Sequence, residues 1–187
     1  YENYVPDCCM AGVVSRFVSL HEPKYTFDPN ELRSAFNSRT RLILINTPHN
    51  PSGRVFNLTE LNIIAELCQE FDVIAVTDEI YERIQYGGRE HISIGRLDGM
   101  QNRTVTICGL GKSYAVTGWR VGWTIAAAPL TALIRKVHDY LTVCAPAPFQ
   151  AAGIVALGLP ENYYADMRSQ YAARQTILLK ALDEIGM

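Results

Sequence analysis

Three short apolar runs recur along the chain, and each ends in a polar cluster: Leu42-Ile43-Leu44-Ile45, Val73-Ile74-Ala75-Val76 and Val105-Thr106-Ile107-Cys108. Runs of this length read as buried strands. Between the first two, Leu61, Ile64, Leu67, Cys68 and Phe71 fall on one face at helical spacing, with Thr59 placed to cap the helix. Residues 42–76 therefore predict strand, turn, helix and strand, a βαβ unit that calls for a parallel sheet. Upstream, Asp28-Pro29-Asn30-Glu31 predicts a helix to about Asn37, with Asp28 as N-cap, Pro29 first and Glu31 closing a capping box. Downstream, Gly87-Gly88-Arg89 predicts a turn and Val121 to Ala127 a fourth strand, apolar almost throughout. A helix is expected from Pro129 through Leu133, Val137 and Leu141. Ala145-Pro146-Ala147-Pro148 breaks it, and a small apolar helix from Phe149 to Leu157 reads as buried. Pro160 opens a long polar helix, about 161–185. The fold class is α/β, a mostly parallel sheet flanked by helices.

Composition narrows the function classes. The 187 residues are 48% hydrophobic and 19% charged, as in a globular domain with one sizeable core. A net charge of -2 points to neither nucleic acid nor an anionic membrane as partner. No apolar run reaches spanning length, and no cleavable signal pattern is seen. The five cysteines, Cys8, Cys9, Cys68, Cys108 and Cys144, are scattered and lack the second close pair of a zinc site. They read as free thiols of a reducing compartment, so a cytoplasmic location is expected.

The polar clusters carry the candidate chemistry. In parallel α/β sheets, ligands bind beyond the carboxyl ends of the strands. The three strand ends offer Asn50 in Asn50-Pro51-Ser52-Gly53, Asp78 and Tyr81 in Asp78-Glu79-Ile80-Tyr81, and Lys112 and Arg120 in Gly111-Lys112-Ser113 to Arg120-Val121-Gly122. A lysine amine can form a Schiff base with an aldehyde cofactor. A carboxylate at the end of an apolar strand can hold a proton on a ring nitrogen. A guanidinium can grip two phosphate oxygens at once, and Trp119 and Trp123 predict a sheltered setting for Arg120.

The order, spacing and strand context of these motifs resemble the class I and II aminotransferases, fold-type I enzymes that depend on pyridoxal 5'-phosphate. The resemblance implies that Lys112 forms the Schiff base, Asp78 pairs with the pyridinium, Asn50 and Tyr81 hydrogen-bond the ring oxygen, and Arg120 binds the phosphate. It places Tyr1, at the head of Tyr1-Glu2-Asn3-Tyr4, on the face of the ring. Lys112, Asp78 and Tyr81 would then be the catalytic set, exchanging an amino group between an amino acid and a 2-oxo acid. The resemblance also implies a homodimer, with residues 1–158 part of a large cofactor-binding domain and 159–187 a helix leading to a small domain. Family members are longer at both ends, so a central fragment, inactive by itself, is expected. One departure is that Gly109 and Gly111 stand where many members carry serines, which leaves backbone N–H groups, Ser113 or upstream residues to bind phosphate.

Two rivals remain. Gly111-Lys112-Ser113 after a strand is similar to the end of a P-loop, but Thr106 occupies the position that needs the first glycine. Carbon–sulfur lyases share the fold and the lysine of the aminotransferases, and cofactor residues alone do not fix the reaction.

Overall fold

The structure, a computed structural model, describes residues 1–186. Met187, the last residue of the expected 159–187 segment, lies outside the described residues. In chain order the elements are α1 (Tyr4–Met10), α2 (Pro29–Ala35), β1 (Leu42–Asn46), α3 (Leu58–Glu70), β2 (Ile74–Asp78), β3 (Thr104–Gly109), α4 (Leu110–Ser113), β4 (Gly122–Ala126), α5 (Ala128–Leu141), α6 (Ala147–Leu157) and α7 (Glu161–Glu184). The sheet order is β1-β2-β3-β4. The first three strands are parallel and β4 returns antiparallel to β3. Among the described residues, no helix is long and apolar enough to cross a membrane.

The expected βαβ unit is present as β1-α3-β2. Helix α3 turns Leu61, Ile64, Leu67 and Cys68 into the core against Ile45, Val73 and Ala75 of the sheet. Its cap differs from the expectation. Asn57, not Thr59, accepts the Glu60 N–H at 3.0 Å, while the Glu60 carboxylate accepts the Asn57 N–H at 2.8 Å. The cap lies two residues earlier because Asn57 is extended, as an N-cap must be, and Thr59 is already inside the first turn.

Asp28 does cap α2, accepting from the backbone of Asn30 and Glu31. Glu31, however, does not close a box. Its carboxylate instead accepts the Ser19 N–H and meets the His21 ring, tying the preceding extended segment down.

The fourth strand and the sixth helix are less buried than their apolar sequences predict. In β4, at the sheet edge, Gly122, Thr124 and Ile125 are exposed. In α6 only Gly153 is buried, while Ile154 and Val155 face outward. Apolar composition could not say which faces find a partner within the chain.

Candidate active site

The carboxyl ends of the parallel strands meet where the polar clusters begin. Asn46 ends β1 directly beside Asp78 at the end of β2, and Asp78 pairs in register with Ile107 of β3. Asn46 links two of the candidate residues. Its amide donates to the Asp78 carbonyl at 3.0 Å, and its oxygen accepts the Asn50 N–H at 2.7 Å. The Asn50 turn closes through Gly53, whose φ of +68° strongly favours glycine. The Asn50 side-chain amide lies 3.5 Å from the Tyr81 hydroxyl. The Lys112 Nζ stands over the Tyr81 ring, 5.9 Å from its centroid. Asn50, Tyr81 and Lys112, from three separate segments, are thus brought together beside Asp78.

The Asp78 carboxylate is held on both oxygens. One accepts the Ile80 N–H at 3.1 Å, and the other accepts the Tyr4 hydroxyl. Burial pushes the Tyr4 phenol well above the ordinary tyrosine range, and the hydrogen bond to Asp78 adds to the rise. Tyr81 is also raised, first by burial and then by the nearby Asp78 carboxylate, with its contact to Asn50 opposing. Both phenols therefore remain neutral hydrogen-bond donors at physiological pH. Tyr1 is half exposed and packs edge-on against Tyr4, with ring centroids 5.6 Å apart.

Two further residues belong to this constellation and were not singled out from sequence. Tyr4 carries no local sequence signal of its own beyond the tyrosine pair with Tyr1. Asn46 could have been noticed as an amide terminating an apolar strand. Beneath them Glu79 is 1% exposed and accepts from Ser93 at 2.8 Å, from Thr77 at 3.2 Å and sits 2.7 Å from the His91 ring. That buried carboxylate fastens the loop after β2 beneath the strand ends. A charge directly after an apolar strand was its visible signal.

Lys112 lies in the last turn of the four-residue helix α4. Gly109 and Gly122 face each other across β3 and β4. A Cβ at Gly122 would come within 2.8 Å of the Cys108 carbonyl oxygen, so the close strand approach requires glycine there. The P-loop alternative fails on this geometry. The chain after β3 makes one helical turn and returns as an antiparallel strand, whereas a P-loop opens a helix at the phosphate. Ser113 is buried, so its hydroxyl is not offered at the surface of the turn.

Arg120 corrects one expectation. It is exposed rather than sheltered, sits in a left-handed conformation at φ 54°, and donates to the Thr117 carbonyl at 3.3 Å. Trp119 stacks on Phe149 of α6, 4.9 Å between centroids, and so covers α6 rather than the guanidinium. Arg120 is not brought into contact with Asp78, Tyr81 or Lys112 among the described residues.

A carboxylate held at a strand end, two neutral hydroxyl and amide donors, and an amine over an aromatic ring form a donor set suited to a pyridine aldehyde with a ring oxygen. The family model described as aminotransferase class I and II matches residues 1–187, and the chain belongs to that family. It is 35% identical over 204 residues to the mouse kynurenine–oxoglutarate transaminase 3, covering 100% of this chain and 45% of that protein. The N-succinyldiaminopimelate aminotransferase structure from Mycobacterium tuberculosis superposes with a TM-score of 0.96 at 38% identity, covering 100% of this chain and 49% of that one. YbdL of Escherichia coli, for which a methionine aminotransferase function is described, gives a TM-score of 0.93 at 33% identity, covering 98% and 49%. The chain thus spans about half the length of the relatives it matches. The mostly parallel sheet flanked by helices is the fold of these aminotransferase structures.

Proposed function

We propose that the whole protein is a pyridoxal 5'-phosphate-dependent aminotransferase that exchanges an amino group between an amino acid and a 2-oxo acid. The observation that carries this is the convergence of Asn50, Tyr81 and Lys112 beside a carboxylate held on both oxygens. Pyridoxal phosphate, when bound, supplies an aldehyde that binds an amine and a ring that takes up the electrons of a broken Cα–H bond.

Lys112 would hold the aldehyde through its Nζ, the aldehyde oxygen leaving as water. With a substrate amine in its place, the freed Nζ would take the Cα proton as base and return it as acid. Asp78 holds a proton on the ring nitrogen, and Tyr4 fixes which carboxylate oxygen is available for that. Asn50 and Tyr81 donate to the ring oxygen and so favour its anionic form. Arg120, exposed and among the described residues bonded to the Thr117 carbonyl, would turn its guanidinium toward the phosphate, and backbone N–H groups of the glycine-bearing turn would add donors. Tyr1 covers a ring face. Residues 1–158 belong to the cofactor-binding domain and 159–187 to a helix leading to a small domain. The protein works as a homodimer in the cytoplasm, a location its free cysteines suit.

Borohydride reduction of the whole protein loaded with pyridoxal phosphate, followed by peptide mapping, should place the pyridoxyl group on Lys112. A label on Lys24, Lys136 or Lys180 instead would sink the assignment.

A further inference from the structure

We infer that Tyr163 is a positioning residue for Lys112, and that the first turn of α7 sets where the lysine amine sits. This rests on the proposed role of Lys112. Helix α4 is four residues long, too short to hold its own shape, and it leaves its last carbonyls without helical partners. The Gly111 carbonyl is taken by the Thr117 hydroxyl at 2.9 Å. The Ser113 carbonyl, directly after Lys112, is taken by the Tyr163 hydroxyl at 3.0 Å. The Tyr163 ring stacks on Tyr114, 5.8 Å between centroids and 13° from parallel. The neighbouring Tyr164 is buried and shares a 2.5 Å hydroxyl contact with Tyr114.

The same turn of α7 also reaches the other side of the site. The Arg83 guanidinium, two residues after Tyr81, lies 4.8 Å from the centroid of Tyr164. One end of one helix therefore touches both segments that carry Lys112 and Tyr81. At the start of α4, Leu110 packs on Gly153 of α6, where a Cβ would stand 3.0 Å away. The lysine turn is gripped between two helices. The C-terminal half of α7 is largely exposed, and the tyrosine cluster of its first turn is the part that bears on the lysine turn.

Displacing a reacting group by about 1 Å can cost on the order of 10²-fold in rate, so loosening one hydrogen bond behind Lys112 is expected to cost about tenfold. Tyr163→Phe keeps the stacked ring and removes only the donor. In the cofactor-free whole protein, amide hydrogen exchange across residues 110–115 should quicken by about tenfold while β1 and β2 keep their protection. In the loaded protein, kcat should fall by about tenfold, with KM for both substrates within about twofold. Tyr140→Phe is the control, since Tyr140 is 93% exposed and its hydroxyl makes no hydrogen bond among the described residues. Exchange that quickens with kcat unchanged would make Tyr163 merely structural and overturn the inference, as would a fall in kcat with exchange unchanged. The borohydride map keeps the two proposals separate. A label on another lysine overturns the site itself. A label on Lys112, with Tyr163→Phe behaving like Tyr140→Phe, overturns only the positioning role.

Discussion

The stretch from α2 to β3 and the helices α5 and α6 both carry many apolar residues, yet they bury them very differently. In the first region Leu61, Cys68, Val73, Ala75 and Met100 are 0% exposed, packed between α3 and one face of the sheet. In the second, Tyr140 is 93% and Ile154 75% exposed, and of the apolar helix α6 only Gly153 is buried. A parallel sheet must be covered, and the βαβ connection supplies the cover from adjacent sequence. Helix α5 meets the edge strand β4, where Thr131 donates to the Ala126 carbonyl, while α6 and α7 meet the rest through Trp119 on Phe149, Leu110 on Gly153, and the tyrosine cluster. The candidate site lies at the seam. Asp78, Asn50 and Tyr81 are fixed by the dense region, while Lys112 is steadied from the sparse one.

That contrast can be broken by experiment. The largest effect is expected in the dense region, where Leu61→Ala should cost about 3 kcal/mol in urea unfolding by leaving a cavity beneath the sheet. Asn57→Ala, which removes the side-chain acceptor of the Glu60 N–H, should cost about 1 kcal/mol. Ile154→Ala in the 187-residue chain should stay within about 0.5 kcal/mol, because its side chain is already in solvent. A loss at Ile154 equal to that at Leu61 would show that α6 is packed, and the contrast would fall.

The cysteines sharpen the same comparison. Burial pushes the Cys68 and Cys108 thiols up to about 12. The thiolate is the reactive form and grows only as pH approaches that value, so at pH 8 about one part in ten thousand is ionised. Alkylation at pH 8 should therefore mark Cys9 and Cys144, which are exposed, and spare Cys68 and Cys108 until the chain unfolds. Labelling of Cys68 at the rate of Cys144 would mean that the core opens readily.

The three parallel strands and α3 follow from the short apolar runs and the helical spacing between them. The same runs put Asn50, Asp78, Tyr81 and Lys112 just beyond the strand ends, because a parallel sheet gathers its connecting segments there. What the linear pattern could not contain is anything that depends on distant partners. Tyr4 reaches Asp78 across 74 positions, Tyr163 reaches Ser113 across 50, and Arg33 pairs with Glu70 across 37. Val155 reads from sequence as core and Arg120 as sheltered, and both are exposed. Local sequence determines which conformation a segment prefers and which face of it is apolar. Only the packing of segments against one another decides which faces are covered and which side chains meet, since hydrophobic burial is non-directional and a hydrogen bond needs both partners in place.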